Sequence, residues 1–151
     1  MAEYLTRDSV EVVNLNSPIT FLDSLPCTSG CVYHKNGTGV FILKGKTSNC
    51  FARYRVEFTG NIAIPTGGDI SPIGTAITVN GEEREGSRSI TTPTVVDSYG
   101  NVTSRAVIDV PRGCCFTVAV EYVNSVTATP ATAPTPTINV LDGSVSIERI
   151  A

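Results

Sequence analysis

The sequence predicts an all-β protein: a two-sheet, antiparallel jelly-roll sandwich of about eight to ten strands. Apolar and polar residues alternate along several stretches, which is typical of strands with one buried face. Turn-forming residues, 13 Gly and 9 Pro, separate those stretches, and no segment shows the periodicity of a helix. A chain of 151 residues is long enough to bury a real core, so a single domain is expected.

The clearest alternation lies in residues 100–123, which are predicted to form a β-hairpin. The first strand of this hairpin places four apolar residues on one face: Val102, Ala106, Ile108 and Val110. In the second strand, the residues assigned to the core or to contacts between subunits are Phe116, Val118, Val120 and Tyr122. Pro111 and Gly113 supply the turn, because Pro fixes its φ angle and Gly accepts a positive one.

The first 18 residues are predicted to be an N-terminal arm or short strand, followed by the jelly-roll domain over residues 19–151. Residues 9–15 alternate like a short amphipathic strand that precedes the main run of strands. Its apolar residues are the candidates for attachment to another surface: Val10, Val12, Val13 and Leu15.

Residues 19–22 follow Pro18 and are predicted to form the first strand of the domain. Residues 39–45 are nearly all apolar, so both faces of that strand are expected to be buried. A sandwich of this size has too little interior for so many strands that are apolar on both faces. Phe41 and Leu43 oppose Val40 and Ile42, and Val107 opposes Ile108, so we expect neighbouring subunits around a threefold axis to cover part of this apolar surface. The alternative is a thick core in a monomer.

Residues 52–64 alternate cleanly and are predicted to form a long strand, with Gly60 allowing a bend. The residues of this strand assigned to the core or to contacts between subunits are Tyr54, Val56 and Phe58. Residues 76–79 form the next strand, which reverses at Asn80-Gly81, a favoured hairpin dipeptide. The return strand over residues 82–89 is polar, so it should lie at a sheet edge.

The C-terminal part of the chain combines a low-complexity loop with a final strand. Residues 125–137 are rich in Thr, Ala and Pro and cannot hold a regular central strand, so they are expected to loop out at the surface. Residues 138–150 return to alternation and are predicted to form the final strand of the chain, with a bulge at the Gly of Asp142-Gly143. Deletion of residues 145–150 should therefore unfold the protein.

Charge and hydropathy argue against several classes of partner. The formal net charge is −3, and no run of Lys or Arg occurs, which disfavours nucleic acid and anionic membranes as partners. No segment approaches the ~20 apolar residues of a membrane span. Residues 1–16 lack the apolar run of a signal peptide, so the chain is expected to be made in the cytoplasm of its host.

No catalytic set, cofactor site or metal site is predicted, and the chain is not expected to be an enzyme. His34 is the only histidine and is interpreted as a solvated residue in the turn beside Asn36-Gly37. Glu82, Glu83 and Glu85 lie on one edge strand, whereas two catalytic carboxylates would need the facing walls of a cleft.

The five cysteines are interpreted as buried thiols or an opportunistic disulfide. They are Cys27, Cys31, Cys50, Cys114 and Cys115. Zinc sites usually need two close pairs or nearby histidines, and adjacent residues of one strand point to opposite faces, so a metal site is disfavoured. A disulfide between Cys27 and Cys31 is expected if the protein meets oxidising surroundings.

Three stretches resemble a known group of proteins: Cys50–Tyr54, Val110–Cys115 and Ile147–Ala151. They are similar to those of small proteins from gut Firmicutes and their phages. That group is similar in turn to the tumour-necrosis-factor/complement-type jelly roll, which is also the C-terminal domain of collagen-like spore-surface proteins. The resemblance runs from about residue 19 to residue 151 and implies a tight homotrimer. This chain has no Gly-x-y collagen stalk, which favours a phage protein over a spore filament.

The predicted function is structural. The chain is expected to be a trimeric decoration protein on the surface of a phage virion, attached to a capsid protein through residues 1–18. The alternative is a binding module of a phage fibre, or of a bacterial spore or cell surface, that recognises a host glycan or receptor. Loops at residues 66–71 and 125–137 are the candidates for that recognition.

Overall fold

The computed structural model describes residues 2–6, 9–25, 31–124 and 137–151. These residues contain no helix, which confirms the all-β prediction. In chain order their strands are β1 (Ala2–Leu5), β2 (Glu11–Asn14), β3 (Asp23–Leu25), β4 (Val32–His34), β5 (Val40–Lys44), β6 (Phe51–Ala63), β7 (Ile73–Val79), β8 (Glu82–Glu83), β9 (Ser89–Thr91), β10 (Gly100–Pro111), β11 (Cys115–Asn124) and β12 (Thr137–Arg149).

The strands form two antiparallel sheets that pack face to face. Sheet A has the order β10-β6-β12-β1-β3, and β2 also pairs with β12. Sheet B has the order β4-β5-β11-β7-β8, and β9 also pairs with β7. The inward side chains of both sheets belong to one hydrophobic core. The predicted two-sheet jelly-roll sandwich is confirmed.

The predicted hairpin over residues 100–123 is wrong, although both of its strands exist. Strand β10 pairs with β6 along its whole length in sheet A, whereas β11 pairs with β5 and β7 in sheet B. The turn between them, where Gly113 adopts a φ of 79°, therefore crosses from one sheet to the other. Alternation shows which face of a strand is buried, but not which strand lies beside it.

The predicted final strand of the chain is β12, and it lies at the centre of sheet A. It pairs with β6 on one side and with β1 and β2 on the other. The register against β6 shifts between Leu141 and Ser144, and Asp142 adopts a φ of 50°. This shift confirms the bulge predicted at Asp142-Gly143. The Thr/Ala/Pro loop falls on residues 125–136, which lie outside the described residues, and on Thr137.

The N-terminal residues belong to the sandwich. Of the two predicted alternatives, an arm or a short strand, the structure has strands: β1 pairs with β12 and β3, and β2 pairs with β12. Tyr4 and Val13 are 2% and 3% exposed and form part of the core. The chain then crosses to sheet B, where Pro18 forms a bridge with Glu121. A boundary at residue 18 therefore cuts through one continuous core.

The strand predicted over residues 19–22 is displaced. The nearest strand, β3, lies immediately C-terminal to this stretch, and Phe21 forms only a single bridge with Thr38. Ile19 and Phe21 are nevertheless fully buried, because the segment passes from sheet B to sheet A: Ile19 N donates to the carbonyl oxygen of Val120, and Leu22 N donates to that of Leu5. The apolar pattern identified the buried residues correctly but not the extended pairing.

The prediction for β5 differs from the structure, whereas the turn predicted after β7 agrees with it. Within the single chain, β5 buries Phe41 and Leu43, whereas Val40 is 41% exposed, so burial on both faces is not seen. Strand β7 turns into β8 at Asn80 and Gly81, whose φ angles of 52° and 86° are both positive. That geometry confirms the predicted Asn-Gly hairpin turn.

Candidate functional site

The residues assigned to the core or to contacts between subunits lie inside the single chain. Tyr54, Val56 and Phe58 on β6 are fully buried, and so are Val120 and Tyr122 on β11. From the same strand of sheet B, Val118 is 1% exposed and Phe116 packs against the core while partly buried. Because the core of the single chain already covers these residues, they are not available for contacts with another molecule.

The outward face of sheet A carries compensated charges. Arg53 donates from Nε to Asp109 Oδ1 over 2.7 Å and from Nη2 to Asp109 Oδ2 over 3.1 Å. This hydrogen-bonded pairing holds the pKa of the Asp109 carboxyl below its usual range. Arg55 Nη2 donates to Glu148 Oε2 over 2.5 Å. These pairs are exposed, so each adds little to the stability of the fold.

Apolar side chains are also exposed on the outward face of sheet A. Val107 stands directly opposite Arg55 in the register of β10 and β6, and it is 45% exposed. Leu5 and Val12 point outward from the N-terminal strands, and Val12 is 61% exposed. The face therefore combines isolated apolar groups with charges that are already paired across strands.

The four residues assigned to attachment do not share one environment. Val10 and Val12 are exposed, whereas Val13 points into the core and Leu15 is partly buried against it. Alternation along β2 places successive side chains on opposite faces. Only Val10 and Val12 are therefore available to another molecule.

His34 is not the solvated turn residue that the sequence suggested. Its ring is partly buried and stacks on Phe41, with ring centroids 4.5 Å apart, beside Tyr4 and Phe21. Its Nε2 is 2.8 Å from the carbonyl oxygen of Thr38, so that nitrogen donates a hydrogen bond. The aromatic neighbours lie beyond the stretch of sequence that suggested a turn, and they draw the ring into the core.

The acidic residues near the β7–β8 turn lie at an edge of sheet B, as predicted. Glu83 accepts hydrogen bonds of 2.6 Å from both Nε and Nη2 of Arg88. On β11, which β7 separates from β8, burial and, to a lesser extent, the charge of Glu83 raise the pKa of Glu121. Within the described residues, no group of three or more His, Cys, Asp or Glu is placed to hold a metal ion.

The cysteines have contrasting environments. Cys31 is buried, and its predicted partner Cys27 lies outside the described residues, so the disulfide stays a prediction. The expectation of buried thiols is wrong for Cys50, Cys114 and Cys115, all of which are exposed. These three residues lie in or beside connections at one end of the sandwich, where loop residues have few neighbours.

A cavity of about 490 Å³ opens at that end of the sandwich, between the β5–β6 connection and the β10–β11 turn. It is lined by Lys44, Gly45, Lys46, Thr47, Arg112, Gly113, Cys114 and Cys115. We call it the loop cavity. No pattern in the sequence predicted this cavity, because its two halves are distant in the chain and the β10–β11 turn was assigned to a hairpin. The residues that the structure describes include no helix long and apolar enough to cross a membrane.

Solved structures show the same architecture at low sequence identity. The globular domain of zebrafish complement 1qA protein aligns with a TM-score of 0.56 and 15% identity, over 95% of this chain and 93% of that one. Eiger TNF from S. frugiperda aligns with a TM-score of 0.63 and 12% identity, over 100% and 92%. Murine APRIL aligns with a TM-score of 0.53 and 11% identity, over 95% and 96%.

The chain has the tumour-necrosis-factor/complement-type jelly-roll fold. At these identities the likeness concerns the fold alone, because one fold hosts many functions. No family model and no curated protein matches the sequence.

Proposed function

We propose that this protein is a non-enzymatic homotrimer that decorates the surface of a particle, namely a phage virion. The observation that supports the trimer is the outward face of sheet A, where Leu5 and Val107 are exposed and the charges near Val107 are paired across strands. Self-association removes such apolar groups from water. A homotrimer is also the assembly that the resemblance of the sequence implies.

Sheet A suits contacts between subunits better than sheet B. Its strands β6, β10 and β12 have 12 or 13 residues each, so they present a long surface. Both arginines of β6 have ion-pair partners on neighbouring strands: Arg53 pairs with Asp109 and Arg55 with Glu148. A charge that keeps its partner costs less to remove from water than an isolated charge.

The oligomeric state tests this part of the proposal. Light scattering should give three times the mass of one chain for the wild type. Val107→Arg should reduce the mass to that of one chain, with an unchanged far-UV circular dichroism spectrum. Val40→Arg, the matched control on the outward face of sheet B, should remain trimeric. A monomeric wild-type protein would refute the trimer, and dissociation by Val40→Arg alone would refute the assignment to sheet A.

Attachment to the virion is assigned to Val10 and Val12, the exposed members of the predicted attachment residues. The protein should copurify with virions induced from the strain that encodes it and purified on a density gradient. The double variant V10S/V12S should fold and form trimers but be lost from the particles. Full occupancy by this variant would refute the attachment role, and absence of the wild-type protein from the virions would refute the decoration function.

A further inference from the structure

The loop cavity concentrates positive charge in a chain whose formal net charge is −3. Lys44, Lys46 and Arg112 line it, and none of its lining residues is acidic. Among the described residues, these three cations form no ion pair, whereas Arg53 and Arg88 do. Cations without a carboxylate partner create a local positive potential that attracts anions.

The floor of the loop cavity is built from backbone contacts that hold its two halves together. Gly45 N donates to the carbonyl oxygen of Cys114 over 2.8 Å, and Gly113 N donates to that of Gly45 over 3.0 Å. A Cβ atom at position 45 would lie only 2.0 Å from the carbonyl oxygen of Pro111, so this approach requires glycine. The cavity is therefore preorganised by the fold, which lowers the entropic cost of binding.

The backbones of two of the cationic residues are also held in place. Tyr54 Oη donates to the carbonyl oxygen of Lys44 over 2.6 Å from the core side. Arg149 Nη1 donates to the carbonyl oxygen of Lys46 over 2.6 Å. The backbone of each lysine is fixed at the cavity while its flexible ammonium group stays available to a ligand.

We infer that the loop cavity binds the anionic groups of an acidic polysaccharide. The loop cavity is wide open to solvent, and its volume of about 490 Å³ exceeds what a single oxyanion needs, so a polymer can lie across it and extend beyond it. The lining also includes the hydroxyl of Thr47 and the thiols of Cys114 and Cys115, which can form hydrogen bonds with the hydroxyl groups of a sugar. None of the lining residues is aromatic, so the stacking platform used for nucleic-acid bases is missing from the lining. The inference depends neither on the trimer nor on attachment to a virion.

Binding can be measured with a defined probe and its neutral counterpart. Fluorescently labelled dextran sulfate should bind the full-length protein in anisotropy titrations, with an affinity that falls as NaCl is added. Neutral dextran of the same length should not bind. The triple variant K44Q/K46Q/R112Q should raise the dissociation constant by about tenfold or more, because it removes the local positive potential.

A matched variant separates the loop cavity from the general charge of the protein. The variant K35Q/R84Q/R105Q removes the same number of positive charges at dispersed positions and should bind dextran sulfate like the wild type. Equal weakening in both triple variants would refute a specific site. Both variants should keep the wild-type circular dichroism spectrum. If the cavity variant unfolds, the single variant R112Q in the exposed turn replaces it, with a smaller loss expected.

The thiols of the loop cavity give a second measurement that does not depend on the variants. Bound dextran sulfate should slow the alkylation of Cys114 and Cys115 by iodoacetamide, whereas neutral dextran should not, as followed by mass spectrometry. Unchanged alkylation at saturation would refute binding in this cavity. Oligodeoxythymidine and free sulfate test the class of ligand. If oligodeoxythymidine binds more tightly than dextran sulfate, the polysaccharide assignment is refuted in favour of nucleic acid. Protection by free sulfate with no added affinity for the polymer would reduce the site to an ion site.

Discussion

The hydroxyl of Tyr54 connects the two sheets, and its removal is predicted to destabilise the fold. Tyr54 lies on β6 of sheet A and is fully buried. Its Oη donates to the carbonyl oxygen of Lys44 over 2.6 Å and lies 3.3 Å from that of Cys31, both on the side of sheet B. Tyr54→Phe keeps the ring in place but leaves a buried carbonyl oxygen without this donor, which costs about 1–3 kcal/mol.

Urea unfolding measures the loss. The chain contains no Trp, so the transition is best followed by far-UV circular dichroism. With a slope of about 2 kcal/mol per M of urea, a loss of about 1–3 kcal/mol lowers the midpoint by roughly 0.5–1.5 M. Wild type and variant are compared at one protein concentration, because the stability of an oligomer depends on it.

Tyr99→Phe provides the matched control. Tyr99 is 38% exposed, so removal of its hydroxyl should change the free energy of unfolding by less than about 0.5 kcal/mol. Equal midpoints for Tyr54→Phe and the wild type, with unchanged slopes, would show that the hydrogen bond from Tyr54 to sheet B does not contribute to stability.

Three further predictions follow from burial and pairing. Glu121→Gln should raise the melting temperature at pH 7, because burial raises the pKa of this carboxyl and disfavours its charge; this gain should vanish below pH 4, where the carboxyl is protonated in both states. Burial raises the pKa of Tyr122 to about 12, so above about pH 10 only the unfolded chain ionises this phenol and the free energy of unfolding should fall as the pH rises. Tyr122→Phe should make the free energy of unfolding, measured by urea titration, less dependent on pH in this range. Deletion of residues 1–15 removes Tyr4 and Val13 from the core, at a cost of more than about 5 kcal/mol, so circular dichroism should show an unfolded chain; a cooperative melting transition would contradict this expectation.

The candidate surfaces were only partly predictable. The pattern of residues 100–110 placed Val107 on the polar face of its strand, where the structure exposes it. The loop cavity was beyond prediction, because Lys44 and Arg112 come together only when β5 and β10 have been assigned to different sheets. The environment of His34 depends likewise on Tyr4 and Phe21, which approach it from distant parts of the chain.

The sequence by itself determined the secondary structure class, the inward face of each long strand and the turn at Asn80-Gly81. These features depend on short-range chemistry: the two-residue period of a strand and the φ angles that Asn and Gly accept. Only the tertiary structure decided which strands are neighbours. The inward side chains of β10 are buried against the opposite sheet whether the chain continues from β10 into a hairpin or crosses to the other sheet. Hydrophobic burial alone therefore does not distinguish a hairpin from a crossover. The separation of β10 and β11 into two sheets, and the incorporation of the N-terminal strands beside β12, follow from long-range pairing that no local pattern records.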